Sequence, residues 1–243
     1  MNPGDQTVMS TRVPILMYHK VAPVDERSIL KGHYVIPGMF ANQLRLLKAL
    51  RFQTVPLNTL FEVPLPKRPI SITFDDGYRN FHRNALPLLQ KNDFQATVFL
   101  VANELGGTNR WDVLKGDVEE PLMTVEEIRE AARVGTEFGS HTLDHVNLAE
   151  ASEETAWKQI AESKETLEAV LQKPVPGFCY PYGSKTQHVS ELVRRAGYRL
   201  ACSTEKGLND ASTDRFALRR INIRRDTSLA VFAFKLFRGF AVG

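Results

Sequence analysis

Residues 70–77 read Ile-Ser-Ile-Thr-Phe-Asp-Asp-Gly, and this stretch gives the strongest indication of the fold. Its first five residues are mostly β-branched or aromatic, which predicts a buried strand, and the acidic pair follows where that strand ends. On both sides of it, short apolar runs alternate with segments in which apolar residues recur at helical spacing. This alternation predicts an α/β fold with parallel strands.

The alternating pattern predicts elements along the whole chain. Further strands are expected at residues 14–17, 96–101, 136–139, 178–181, 198–202 and 221–223. Helices are expected at residues 40–50, 85–90, 153–171, 189–196 and 229–236, and after a capping box formed by Thr124 and Glu127. Because no linker or repeat divides the chain, we expect one barrel-like domain over residues 1–243, with residues 1–12 flexible.

The composition is that of an ordinary globular protein and excludes several classes of function. Hydrophobic residues make up 43% and charged residues 24% of the 243 residues, so the core can be substantial. A net charge of +3 without a recognisable nucleic-acid-binding motif does not suit a nucleic-acid partner. The sequence has no run of roughly 18 apolar residues, so it predicts no transmembrane segment. The first ten residues lack the features of a secretory signal. We therefore expect a cytoplasmic protein. Cys179 and Cys202 stand in apolar surroundings and are expected to be buried, reduced thiols.

The residues that can carry chemistry come directly after predicted strands. They are His19, Asp75, Asp76, His141 and Tyr182. In a parallel α/β barrel the carboxyl ends of the strands meet at one rim, so residues far apart in sequence can form one site there. We therefore expect these side chains to lie close together.

The His141 and His145 pair becomes informative only together with the acidic pair. On a helical turn, this spacing places both imidazoles on one face, from which they can share a metal ion. Taken alone, two such histidines are more often surface or packing residues, and an Asp-Asp-Gly can simply be a turn. With both motifs at strand ends, a catalytic metal site is favoured. One of Asp75 and Asp76 would then bind the ion, and the other would accept a proton from the attacking water.

Three ordered motifs resemble those of the polysaccharide deacetylase family (NodB-homology domain, carbohydrate esterase family 4). They are Ile-Thr-Phe-Asp-Asp-Gly at residues 72–77, Ser-His-Thr-Leu-Asp-His at 140–145 and Phe-Cys-Tyr-Pro-Tyr-Gly at 178–183. The resemblance implies a single distorted (β/α)7 barrel. It also implies that Asp75 is the general base, that Asp76, His141 and His145 bind a divalent metal, and that the backbone N–H of Tyr182 holds the oxyanion.

The chain departs from the commonest pattern of that family in two places. Cys179 and Tyr180 stand where the third motif usually has arginine and proline, and no histidine follows His188 to act as the usual general acid. Residues 16–21, Leu-Met-Tyr-His-Lys-Val, resemble the circularly permuted subgroup that includes poly-N-acetylglucosamine deacetylases. This resemblance implies that His19 is the general acid. Arg220 is a candidate to replace the missing arginine by pairing with Asp75.

The resemblance implies a hydrolase of non-peptide C–N bonds in linear amides, acting on the N-acetyl group of an N-acetylhexosamine. Its substrate would be a polysaccharide, an oligosaccharide or a lipid-linked glycan, and its ion would be zinc, with iron, cobalt and nickel as alternatives. Two other hypotheses stay open: a hydrolase of another amide, and an inactive carbohydrate-binding barrel.

The role of the remaining aromatic residues and of the C-terminal tail is less clearly indicated by the sequence. Trp111 suits stacking on a sugar ring and core packing equally well. His33 is a candidate for bordering the substrate, a surface role is favoured for His82, and His188 is expected near the amino-terminal end of a helix. The tail at residues 228–243 is favoured as a helix that packs on the barrel, and the alternative is peripheral contact with a membrane surface.

Overall fold

The computed structural model describes residues 12–61 and 64–241, without the side chains of residues 238–241. Residues 1–12 were predicted to be flexible. All of them except Arg12 lie outside the described residues. Within them, the strands are β1 (Ile15–Tyr18), β2 (Lys20–Val21), β3 (Tyr34–Val35), β4 (Gln53–Thr54), β5 (Pro69–Phe74), β6 (Thr97–Leu100), β7 (Glu137–Ser140), β8 (Gly177–Cys179), β9 (Leu200–Lys206) and β10 (Leu218–Asn222).

Seven parallel strands close into a barrel. Their order around the ring is β1-β5-β6-β7-β8-β9-β10, and the pairing of β1 with both β5 and β10 closes it. Strand β4 pairs with the amino-terminal end of β5, and β2 and β3 form a separate two-stranded sheet. The expected seven-stranded α/β barrel is confirmed.

Helices are also present in the described part of the chain, and most of them surround the barrel. They are α1 (Pro37–Ala49), α2 (Leu86–Lys91), α3 (Arg110–Val113), α4 (Val125–Arg133), α5 (Glu153–Leu171), α6 (Gln187–Arg195) and α7 (Leu229–Ala241). Helix α4 begins with the predicted capping box, in which Thr124 accepts from the Glu127 backbone and Glu127 accepts from the Thr124 backbone. The four-residue helix α3 and the short strands β2, β3 and β4 were not predicted.

Alternate residues of the barrel strands belong to two separate buried clusters. Ile15, Phe99 and Cys202 belong to one cluster, whereas Leu16 and Val98 belong to the larger cluster that also contains the buried faces of the helices. This division follows from the period of two in a strand, which sends neighbouring side chains to opposite faces of the sheet. Both cysteines are free and buried, as expected.

Helix α7 has one buried and one exposed apolar face. Phe232 and Leu236 are fully buried, and the helix contacts α1, so the expected packing on the barrel is confirmed. On its other face, Phe234 is 61% and Phe237 is 47% exposed. Within residues 12–61 and 64–241, no helix has the length and apolarity needed to cross a bilayer. Contact of the tail with a membrane surface stays a prediction.

Candidate active site

Asp75 is paired with Arg220 at the carboxyl rim of the barrel. Nη1 of Arg220 donates to Oδ1 at 2.6 Å and Nη2 donates to Oδ2 at 2.7 Å. The guanidinium is only 1% exposed, and it also donates to the carbonyl of Ser203 and the hydroxyl of Thr73. Burial alone would raise the pKa of Asp75, but the charge and hydrogen bonds of Arg220 outweigh it and hold that pKa well below its ordinary value. The carboxylate is therefore ionised at neutral pH.

The next residue, Asp76, points elsewhere because the backbone turns sharply after β5. Asp76 has φ 75° and Gly77 has φ 76°, both in the left-handed region. Aspartate tolerates this region, and at the second position a Cβ would lie 2.7 Å from Cδ2 of Leu100, so glycine is required there. The turn separates the two acidic side chains and gives them different surroundings.

Asp76 faces the two motif histidines. Its Oδ1 lies 3.3 Å from Nε2 of His145 and 3.5 Å from Nε2 of His141. One ligand atom from each residue lies within 4.8 Å of the others, and all three residues are buried. The sequence prediction that these residues come together therefore agrees with the structure, while their role as metal ligands stays a prediction.

The far nitrogen of each imidazole is held by a neighbour. Nδ1 of His141 lies 2.7 Å from the carbonyl of Cys179, and Nδ1 of His145 lies 3.0 Å from the hydroxyl of Tyr182. That hydroxyl also accepts a hydrogen bond from Nζ of Lys115 at 2.7 Å. With Nδ1–H donating to these oxygens, the lone pair of each Nε2 is directed at Asp76, which is the usual arrangement around a metal-binding histidine.

The titration of both imidazoles also suits a metal. Burial lowers the pKa of His141 and of His145 to about 4, and for His141 the neighbouring His145 adds to the shift. Both rings are therefore neutral at physiological pH, as a ligand must be. Burial raises the pKa of Asp76 above its ordinary value. The geometry and chemistry of this donor set fit a divalent ion.

The segment from His141 to His145 is not the helical turn that the spacing suggested. Thr142 and His145 have φ of 70° and 57°, and the hydroxyl of Thr142 accepts from the backbone N–H of His145 at 2.9 Å. Oε1 of Gln159, on α5, accepts from the backbone N–H of Leu143 at 3.1 Å and of the following residue at 2.9 Å. The two imidazoles come together because Gln159 and Thr142 stabilise this irregular turn through their hydrogen bonds.

His19 lies on the other side of Asp75, with its Nε2 4.0 Å from Oδ2. Its ring stacks on that of His33, with centroids 4.0 Å apart and planes at 20°. Burial and the His33 ring lower the pKa of His19 below its ordinary value. His33 itself has a buried Nδ1 without a hydrogen-bond partner in the described part of the chain.

A cavity of about 370 Å³ unites these groups. The predicted residues that line it are His19, Asp75, Asp76, His141, His145 and Tyr182. His33, Trp111, Asp112 and Lys115 also line it, whereas Arg220 lies behind Asp75 and does not. The cavity therefore collects one ionised carboxylate, a set of potential metal ligands and a nearby imidazole in a space suited to a small ligand.

Comparison with known proteins identifies the family. The family sequence model described as polysaccharide deacetylase matches residues 62–201, more than half of the chain. The chain belongs to the polysaccharide deacetylase family. The expectation of a hydrolase of the deacetylase type is thereby confirmed, and the metal and the substrate stay predictions.

Individual relatives agree with this membership. The poly-β-1,6-N-acetyl-D-glucosamine N-deacetylase of Staphylococcus aureus (strain MRSA252) is 26% identical over 210 residues, covering 81% of this chain and 70% of the relative. BC0361, a polysaccharide deacetylase from Bacillus cereus, is 26% identical with a TM-score of 0.78 over 93% of this chain and 69% of that one. The Streptococcus pyogenes deacetylase PplD, solved with acetate, shares the fold with a TM-score of 0.80 at 24% identity, over 93% and 98% of the two chains.

The geometry accounts for one departure from the common family pattern. Cys179 stands where the third motif usually has arginine, and its Sγ lies 3.1 Å from Nη2 of Arg220. Arg220, on β10, thus occupies a position next to Asp75 that an arginine on β8 would otherwise occupy. This contact agrees with the proposed replacement, whose catalytic role stays a prediction.

Of the remaining candidates, Trp111 lines the cavity and the two other histidines do not. Trp111 is almost buried and stacks on His145, with centroids 4.6 Å apart, which is a packing contact. Its use as a sugar platform stays a prediction. His82 and His188 face Glu130 and Glu153 and do not line the cavity.

Sequence reasoning missed three residues around the histidines: Gln159, Lys115 and Asp112. A glutamine next to the apolar residues of the predicted helix at 153–171 was a signal that could have indicated the first. The other two lie in or just after the short helix α3, whose position only the folded chain reveals.

Proposed function

We propose that this chain is a metal-dependent deacetylase that hydrolyses the N-acetyl group of an N-acetylhexosamine within a glycan. The observation that carries the proposal is the division between two adjacent aspartates. Asp75 pairs with Arg220, whereas Asp76 faces His141 and His145, and both acidic residues line one cavity. This division supports the role of proton acceptor for Asp75 and the role of metal ligand for Asp76.

A divalent ion, zinc by expectation, would be held by Asp76, His141 and His145. Two imidazole nitrogens and one carboxylate oxygen suit Zn, Fe, Co or Ni, and three protein ligands leave positions open for catalysis. When bound, such an ion supplies a Lewis acid that polarises an amide carbonyl and lowers the pKa of water.

Asp75 would take a proton from the attacking water. Arg220 occupies both of its oxygens and fixes the plane of the carboxylate. The same pairing keeps the group ionised, so it is ready to accept a proton at neutral pH. The proton would be accepted at Oδ2, the oxygen nearest to Nε2 of His19.

His19 would give a proton to the leaving amine. Its Nε2 lies 4.0 Å from Oδ2 of Asp75, so base and acid stand on the same side of the cavity. Burial, together with the stacked His33, lowers the pKa of His19, so the resting ring would be neutral and would first receive the proton that Asp75 took from the water before passing it to the amine. The backbone N–H of Tyr182, at the cavity wall, would donate to the carbonyl oxygen as negative charge develops there.

The substrate class is inferred from family and relatives. The Staphylococcus aureus relative is a poly-β-1,6-N-acetyl-D-glucosamine N-deacetylase, which supports an N-acetylhexosamine as the substrate here. Within that class, a polymer, an oligomer and a lipid-linked precursor present the same acetamide. The proposal therefore commits to the acetamide of the sugar and not to the length of the glycan.

The experiment combines metal analysis with acetate release. Purified protein is expected to contain about one equivalent of divalent ion, and the Asp76→Ala variant is expected to contain far less. The wild-type protein, loaded with metal, should release acetate from at least one member of a panel of N-acetylglucosamine oligomers, and the variant should not. Acetate from none of the glycans, but turnover of another amide, would favour a different amide hydrolase. Binding of the oligomers without any turnover would favour an inactive carbohydrate-binding barrel.

A further inference from the structure

The short helix α3 forms one wall of the cavity and is fixed against the proposed metal site. The Trp111 ring lies on the His145 ring, with centroids 4.6 Å apart and planes at 20°. The next residue, Asp112, is 6% exposed, and it lines the same cavity as Asp75 and Asp76. A carboxylate is thus held at the wall of the cavity, outside the set of residues assigned to base, acid and metal.

This carboxylate has few hydrogen-bond partners. Its Oδ2 accepts a hydrogen bond from the hydroxyl of Tyr78 at 3.3 Å, which is long for an O–H donor. No other hydrogen bond to the Asp112 carboxylate comes from the residues that the structure describes. An ionised carboxylate has about four acceptor sites, and a nearly buried one that lacks donors is costly. Asp112 therefore keeps acceptor capacity on the side of the cavity.

Two nearby aspartates accept more and shorter hydrogen bonds than Asp112. Oδ1 of Asp117 accepts from the hydroxyl of Ser28 at 2.6 Å and from the backbone N–H of Ile29 at 2.8 Å, which ties two loops together. Asp144 accepts from Asn103 at 2.7 Å and from Gln159 at 2.5 Å. Neither of these aspartates lines the cavity, and each accepts two short hydrogen bonds from the chain. Asp112 alone among the three combines a place at the cavity with a single long hydrogen bond.

We propose that Asp112 determines specificity by accepting a hydrogen bond from a ring hydroxyl of the sugar that carries the acetamide. This inference rests on the proposed function, because only a sugar substrate brings hydroxyl donors into the cavity beside the acetamide. A hydroxyl that donates to a carboxylate forms a short, strong hydrogen bond. A site built to bind such a hydroxyl discriminates strongly against a ligand that lacks it.

The test compares wild-type protein with Asp112→Ala on a matched set of probes. The probes are methyl N-acetylglucosaminide, its 3-deoxy, 4-deoxy and 6-deoxy analogues, and 4-nitrophenyl acetate, an ester without a ring hydroxyl. We expect Asp112→Ala to lower kcat/KM for the parent sugar by about 10- to 100-fold, mainly through KM, and to change turnover of the ester less than about twofold. One deoxy analogue should be turned over equally by both proteins, which identifies the hydroxyl.

A binding measurement and a control variant complete the design. The dissociation constant of the parent sugar should rise in Asp112→Ala, and the thermal midpoint should stay within a few degrees of wild type. Asp117→Asn is expected to lower the thermal midpoint without changing the ratio of sugar to ester turnover. Equal losses on sugar and ester in Asp112→Ala, or equal sensitivity of all deoxy analogues, would overturn the role of Asp112. A wild-type protein that hydrolyses the ester but neither these sugars nor any N-acetylglucosamine oligomer would instead overturn the proposed function, and the hydroxyl role with it.

Discussion

Arg220 and Asp75 form a bidentate ion pair although β10 and β5 are not neighbours in the barrel. Strand β1 lies between their strands, and the guanidinium reaches across to both carboxylate oxygens, at 2.6 and 2.7 Å. Both side chains are buried. The pair therefore fixes the proposed base from the interior of the barrel and leaves its cavity side accessible.

Removing the arginine should leave a buried charge without its partner. We expect Arg220→Met to lower the free energy of unfolding by about 3–5 kcal/mol, because Asp75 then stays buried and unpaired. Arg220→Lys, which keeps the charge but not the bidentate geometry, should lose less. Urea denaturation of the metal-free proteins measures both. Arg219→Met, at an exposed neighbouring position, is the control and should stay close to wild type. Equal stability of Arg220→Met and Arg219→Met would contradict the importance of the pair.

The two buried imidazoles should make the metal-free protein less stable in acid. Their pKa is about 4 in the folded protein and about 6.5 in an unfolded chain, so the unfolded state binds more protons between these values. Stability should therefore fall as the pH drops from about 6.5 toward 4, by up to about 3 kcal/mol for each histidine. Urea denaturation at several pH values measures the fall. A double variant, His141→Gln with His145→Gln, should show a flatter profile, and identical profiles would refute the assignment.

Local patterns were sufficient to predict the barrel and the two motif pairs. Asp75 and Asp76 directly follow a strand that its apolar residues predict, and His141 directly follows another predicted strand. Because parallel strands end at one rim, these residues could be placed together before any coordinates were known. The spacing of His141 and His145 would also suit a helical turn, and spacing alone does not distinguish a helix from the irregular turn that Gln159 stabilises.

The partners of these residues could not be predicted in the same way. Arg220 stands among five arginines at residues 215–225, and only the register of β10 shows that its side chain enters the barrel while that of Arg219 stays exposed. The contact of Lys115 with Tyr182 joins residues 67 positions apart. Such contacts depend on the folded path of loops, for which the sequence has no periodic signal.

Substitution of His19 should separate proton donation from the rest of catalysis. His19→Ala is expected to lower kcat for an N-acetylglucosamine oligomer by about 10²–10⁴-fold, because the leaving amine must be protonated. Turnover of 4-nitrophenyl acetate should change little, since the aryloxide leaves without a proton. His82→Ala, at a histidine that does not line the cavity, should affect neither reaction. Full turnover of the oligomer by His19→Ala would show that another group is the acid.

The hydrogen bonds between Gln159 and the turn at residues 141–145 should control metal affinity. In Gln159→Ala, the backbone N–H groups of Leu143 and Asp144 lose their shared acceptor, and the turn that carries His145 becomes looser. We expect metal affinity to fall by about 10- to 100-fold, as for other groups that orient ligands. Competition with a chelator measures the affinity. Gln187→Ala, at an exposed position on α6, is the control. An unchanged affinity in Gln159→Ala would limit the glutamine to a folding role.

The exposed face of α7 should bind a membrane surface. Phe234 and Phe237 are largely exposed on one side of the helix, while Phe232 and Leu236 pack on the barrel. Burial of a phenylalanine in an apolar phase contributes about 1.5–3 kcal/mol, so replacing both exposed rings by serine should weaken binding to vesicles at least about tenfold. Co-sedimentation with phosphatidylglycerol vesicles measures the binding. Val134→Ser, at another exposed apolar position, should bind like wild type. If the double variant sediments as well as the wild-type protein, or if neither sediments, this face does not contact lipid.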